Sequence, residues 1–233
     1  PLQRLVWEPD DPEIIAREFF AMEQDIRAAG DPHGLPPSPE NARAPIETAV
    51  QLQMTGRLEE AASIYQEIVR TDPENADAWH FLSIIAQQTG HLEAAEQMVL
   101  RAVSLKDDQA NYFVTIGHIA EGLDKLEDAK AAFTKAIAID PDDAGAHADL
   151  ADLLHKMGET VQSESSMMRA LNLAPRTVEY FERAAKQLRE NGNMTEAANF
   201  YARAVELREE ASAIALKKAD EFSEVPQITL GMN

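Results

Sequence analysis

Residues 76–109 read ADAWHFLSIIAQQTGHLEAAEQMVLRAVSLKDDQ, and this stretch decides the fold. Apolar residues recur at helical spacing on both sides of Gly90, as Trp79, Leu82 and Ala86 before it and Leu92, Ala95, Val99 and Ala102 after it. The same pattern returns up and down the chain. Gly56, Gly90, Gly158 and Gly192 lie 34 residues apart or twice that, and Asp124 holds the one missing slot, with Gly122 two residues earlier. Five residues after each slot comes a small residue: Ala61, Ala95, Ala129, Ser163 and Ala197. Seven residues later come Ile68, Ala102, Ala136, Ala170 and Ala204. Between these columns stands a larger side chain, namely Tyr65, Val99, Phe133, Met167 or Tyr201. Pro73, Pro141 and Pro175 close three units, with Asp107 and Glu209 in the other two slots. One phase therefore fits five units without insertion: 42–75, 76–109, 110–143, 144–177 and 178–211.

Each column has a physical reason. A glycine between two helices takes a left-handed conformation at no steric cost. Small residues let the paired helices approach closely, and the larger residue between them fills the space that remains. Proline ends the second helix and pre-sets the next start. The expectation is an all-α chain of helix–turn–helix units.

These columns resemble the tetratricopeptide repeat (TPR) family, whose unit has this length. The likeness is carried by Asn75-Ala76-Asp77-Ala78-Trp79 with Leu92-Glu93-Ala94-Ala95, and by Leu126-Glu127-Asp128-Ala129 with Ala136-Ile137-Ala138-Ile139-Asp140-Pro141. It implies a right-handed superhelical α-solenoid over residues 42–211 that holds a protein or peptide in a concave groove. Pro45 and His147 stand where the family usually places a large aromatic, and Thr160 with Ser163 should make the fourth unit the loosest.

The groove positions implied by the resemblance are His80, Ile84, Gln87, Asn111, Val114, His118, Glu121, Asp152, His155, Glu182, Lys186 and Arg189. Members that grip a chaperone's terminal carboxylate carry Lys, Asn and Arg where this chain has Ile46, Val50, His80, Ile84, Val114 and His118, so that clamp is missing. The groove of the first three units reads as apolar to weakly polar, which suits an amphipathic helix or an extended apolar segment. Arg183, Lys186 and Arg189 form a basic stripe on one helix. It either clamps an acidic segment or pairs along its own helix with Glu179, Glu182 and Glu190.

Composition narrows the partners. With 41 acidic and 21 basic residues the formal charge is −20, which repels nucleic-acid backbones and anionic lipid, and either attracts basic partners or serves only to keep an elongated chain soluble. Cysteine is absent, so no disulfide, thiolate metal site or cysteine nucleophile exists. No apolar run approaches the ~20 residues needed to span a bilayer. A cytoplasmic location is expected, with the periplasm left open. The phosphate loop, the Gly-x-Ser-x-Gly elbow and the His-Glu-x-x-His motif do not occur. The six histidines, His33, His80, His91, His118, His147 and His155, are too scattered in the repeat frame for a shared metal. No catalytic residue, cofactor or metal is expected.

The ends are read separately. Residues 1–41 form an extension in which Asp11-Pro12-Glu13 starts an amphipathic helix running to Ala29, with Ile15, Phe19, Phe20, Met22 and Ile26 on its apolar face. A Pro/Gly-rich linker, Gly30 to Pro45, follows. That helix either caps the array or docks in a groove, its own or a second copy's, which would make the chain self-assemble. Residues 212–222 are expected as a capping helix, with Ile214, Leu216 and Ala219 for packing. Residues 223–233 read as an extended tail, either frayed or the opening strand of a further domain. Together with the missing initiator methionine, that tail admits a second reading: a recruiting module of a larger bacterial glycosyltransferase, methyltransferase or sulfotransferase.

Overall fold

A computed structural model describes residues 46–223, with side chains as far as residue 215. The expected helix over 11–29, the linker after it and the tail beyond Ser223 lie outside the described residues. Ten helices follow in order: α1 (Ile46–Met54), α2 (Leu58–Thr71), α3 (Ala76–Gln88), α4 (Leu92–Leu105), α5 (Ala110–Gly122), α6 (Leu126–Ile139), α7 (Ala144–Lys156), α8 (Thr160–Leu173), α9 (Val178–Glu190) and α10 (Met194–Ser223). Each odd-numbered helix packs on its successor as a helical hairpin. The chain divides into two compact units between Asp142 and Asp143, so three hairpins belong to the first and two to the second.

The turns follow one recipe. The amides of Arg57, His91, Lys125, Glu159 and Asn193 each donate to the carbonyl five residues back, at 2.8–2.9 Å. That bond closes a helix whose next residue has turned left-handed. Gly56, Gly90, Gly158 and Gly192 supply the turn with φ between +79° and +84°. In the third hairpin Asp124 takes the same conformation at φ +58° despite its Cβ. The outgoing starts are capped where the sequence allows: Asn75 Oδ1 accepts from the Ala78 amide and Asp143 Oδ1 from the Ala146 amide.

The repeat columns form the core. Ala61, Ala95, Ala129, Ala102, Ala136 and Ala170 are fully buried, as are Tyr65, Val99 and Phe133. In the first unit the inward faces of α3 and α5 add Leu82, Ile85, Tyr112 and Ile119. Gly117 on α5 is required by Phe133 of α6, because a Cβ there would stand 2.4 Å from Phe133 Cε1. In the second unit Ala148, Ala151, Met167, Ala170, Leu171 and Ala184 make the core, covered by Tyr180, Phe181 and Phe200. Ser163, read as a source of looseness, is buried there: its Oγ lies 2.7 Å from the Ala151 carbonyl and 3.0 Å from Gln187 Oε1.

One expectation is corrected by the helix ends. Residues 212–222 are not a separate capping helix but the continuation of α10, which runs unbroken through 30 residues. No glycine or proline occurs between Met194 and Ser223 to stop it. Ile214, expected to pack, is half exposed.

Candidate functional site

The first helices of successive hairpins touch within each unit, α3 with α5 and α7 with α9. The candidate positions sit on these four helices, and the two pairs are built differently.

Between α3 and α5 the contact is made by a buried ring pair and two side-chain hydrogen bonds. His80 is 4% exposed, its Nε2 hydrogen-bonded with Thr115 Oγ1 at 2.9 Å and its ring 4.5 Å from that of Tyr112. The Tyr112 hydroxyl donates to Asp77. Burial pushes the His80 imidazole down to about 4, against the opposing pull of Asp77 and the Asn111 backbone. His80 therefore joins two repeats from inside and is not a groove contact as expected, because its ring is covered by α5. What α3 and α5 leave to solvent is Ile84, Gln87, Val114, His118 and Glu121, all half-buried, and Asn111, which is exposed. His118 rests edge-on against Phe133, 5.2 Å between centroids.

Between α7 and α9 the contact is a polar lattice. Arg183 donates from Nε to Asp152 Oδ2 (2.7 Å) and from Nη2 to Asp149 Oδ1 (2.9 Å), with Glu179 3.6 Å from Nη1. Gln187 Nε2 donates to the other Asp152 oxygen at 2.6 Å. His155 Nε2 lies 2.8 Å from Glu190 Oε2, and Arg208 of α10 reaches Glu182 at 2.6 Å. These contacts correct the basic stripe. Arg183 is not a vacant fork for a ligand carboxylate, since its own chain fills both prongs. Asp152, His155 and Glu182 are likewise engaged, whereas Lys186 and Arg189 are exposed. Of the three intrahelical acidic partners expected for the stripe, Glu179 lies closest to Arg183, while Glu182 and Glu190 pair elsewhere.

Asp77, Tyr112, Thr115, Asp149 and Gln187 were not singled out by the sequence. A signal existed: Asp77–Tyr112, His80–Thr115, Asp149–Arg183 and Asp152–Gln187 join residues 34 or 35 apart, one repeat length, with a donor facing an acceptor. Among the described residues no group of three metal-ligating side chains comes together, and no helix is long and apolar enough to cross a membrane.

Helical hairpins in a 34-residue phase, closed by left-handed turns, define a repeat protein. The family model for the tetratricopeptide repeat matches residues 52–113 and 119–187, more than half of the chain. The chain belongs to the tetratricopeptide repeat family, whose members are helical protein-interaction scaffolds. No curated protein matches it by sequence. Among solved structures, MamA shares 19% identity at a TM-score of 0.61, with 71% of this chain and 96% of that one covered. TTC0263, a thermophilic TPR protein of Thermus thermophilus, shares 20% at 0.64, covering 77% and 97%. YrrB, described as a TPR protein with an unusual peptide-binding site, shares 18% at 0.55, covering 74% and 90%. At these identities the likeness is one of fold.

Proposed function

We propose that this chain is an adaptor that holds an amphipathic or extended apolar segment of a partner protein against the α3–α5 face. The reading rests on one observation. Ile84 and Val114 sit half-buried on touching first helices whose inward sides are already packed, with Gln87 and Asn111 beside them. An apolar pair set in polar surroundings offers burial for affinity and hydrogen bonds for register. The α7–α9 face is a poorer host, because its polar groups are matched to each other and a ligand must displace one to gain another. The chain's part is then recruitment, with any chemistry left to what it recruits.

A photo-crosslinking residue at Val114, introduced in the source cell, tests this against the same residue at Thr134, an exposed position on α6. Adducts formed from Val114 and lost on Ile84→Asp support the α3–α5 face. Equal adducts from Thr134, or none from Val114, overturn it.

A further inference from the structure

The second unit carries a cleft of about 240 Å³ between α8, α9 and α10. Met167, buried, forms its floor, and Leu188 and Phe200 are half-buried around it. Met168 stands at the lip, 48% exposed. Such a lining favours one large apolar side chain, and a pair of methionines adapts to aromatic or aliphatic shapes alike. The polar lining is two carboxylates, Glu164 and Glu196, and three amides, Gln187, Asn191 and Asn193. Glu164 stands one turn before Met168 on α8 and is exposed. Glu196, in the first turn of α10, shares one carboxylate oxygen with the Asn193 amide at 2.6 Å, while its own amide lies 3.4 Å from Asn193 Oδ1. No Lys, Arg or His lines the cleft.

We propose that this cleft is a second docking site, which receives a long apolar side chain from a basic segment of a partner protein, with a neighbouring Lys or Arg set against Glu164 and Glu196. Charge complementarity chooses this occupant. Two carboxylates beside an apolar hole favour a cation on the incoming chain, and the formal charge of −20 draws basic segments and repels a second copy of this acidic chain. The cleft lies within the second unit and shares no residue with the α3–α5 face, so either site can fail without the other.

The full chain carrying 13C-methyl methionine, titrated with 4-phenylbutylamine, 4-phenylbutanol and 4-phenylbutyrate, separates the possibilities. The Met167 and Met168 methyl signals are expected to move with the amine while that of Met54, in the first unit, stays. The amine should bind about fivefold more tightly than the alcohol, the equivalent of two partly exposed ion pairs, and the carboxylate most weakly. Glu164→Gln with Glu196→Gln should abolish the preference while keeping apolar binding, since glutamine serves in the cap as well. Met168→Ala should weaken all three probes. Equal binding of amine and carboxylate, equal shifts at Met54, or no shift with any probe would overturn the proposal. So would Met168 shifts that depend on protein concentration alone, which would mean that a second copy fills the cleft.

Discussion

Arg183→Met removes the guanidinium that ties α9 to α7 while keeping most of the apolar stem. Two charge-assisted hydrogen bonds are lost, of unequal worth. The bond to Asp149 joins side chains 20% and 18% exposed, whereas Asp152 is 44% exposed and water takes part of that bond's strength. Hydrogen bonds to charged groups contribute about 1.5–3 kcal/mol when buried, and exposed pairs about 0–1. The loss should be about 2 kcal/mol. Arg183→Lys keeps the charge but reaches one carboxylate at a time, so it should cost about half as much. Native-state hydrogen exchange is the assay, because a repeat array can open locally and a single melting point averages over its parts. Protection of α7 and α9 amides should fall about 30-fold in Arg183→Met, the equivalent of that free energy. In a double-mutant cycle with Asp149→Asn the two changes should couple by about 1 kcal/mol. Protection within about twofold of the wild type, or purely additive effects, would refute the structural role and return Arg183 to the candidate ligand contacts.

Three further outcomes are expected. Gly117→Ala sets a Cβ 2.4 Å from a Phe133 carbon in a closed core. Overpacking of about 1–3 kcal/mol outweighs the ~1 kcal/mol gained in helix propensity, so the urea midpoint should fall; Phe133→Met should then recover part of the loss, as Ala151 and Met167 share those slots in the fourth hairpin. His80 binds protons more weakly folded, at about 4, than unfolded, near 6.5, so the unfolded chain carries more protons between those values. Its contribution is complete above pH ~6.5 and is lost as pH falls toward 4, by up to about 3 kcal/mol; acid titration of stability should flatten in His80→Gln, and an unchanged slope counts against burial as the cause. Asp124→Gly relieves a left-handed residue at φ +58° but adds freedom to the unfolded chain, for a net gain of about 0.5 kcal/mol and a melting point about 1–2 °C higher. A lower melting point would mean that the Asp124 side chain contributes more than its backbone costs.

The fold was legible because each repeat column answers to a local constraint. A glycine at 34-residue intervals announces a left-handed turn, and the turn at Asp124 could be placed by counting even though the glycine is missing. Alanine and aromatic columns announce helix contact for the same reason: close approach leaves few side chains that fit. The C-terminal helix was harder. Residues 212–222 carry the apolar spacing of a further helix, and nothing in that spacing tells whether it begins anew or continues. The decisive fact is negative, the lack of any breaker after Met194.

The faces were harder still, since each residue advances about 100° around a helix and a small rotation carries a side chain from solvent to core. His80 falls on the groove side of the repeat frame, yet its ring turns under α5 to meet Thr115. The sequence alone pairs Arg183 with carboxylates of its own helix, because three- and four-residue spacings are what a single helix makes visible. Its stronger partners lie one repeat away, at Asp149 and Asp152. Repeat proteins thus have a second side-chain rule beside the helical one. Residues a repeat length apart are neighbours, and Asp77 with Tyr112, His80 with Thr115, Asp152 with Gln187 and His155 with Glu190 all obey it. The rule also bears on partner choice. An acidic segment seeking Arg183 must first displace two carboxylates held at 2.7 and 2.9 Å, and then leave them buried or half-buried without a counter-charge. Reversing the charge of Arg183, Lys186 and Arg189 together would confound lost binding with lost structure. The lattice therefore makes Arg183 a poor contact for an acidic segment, in keeping with the apolar and basic segments proposed above.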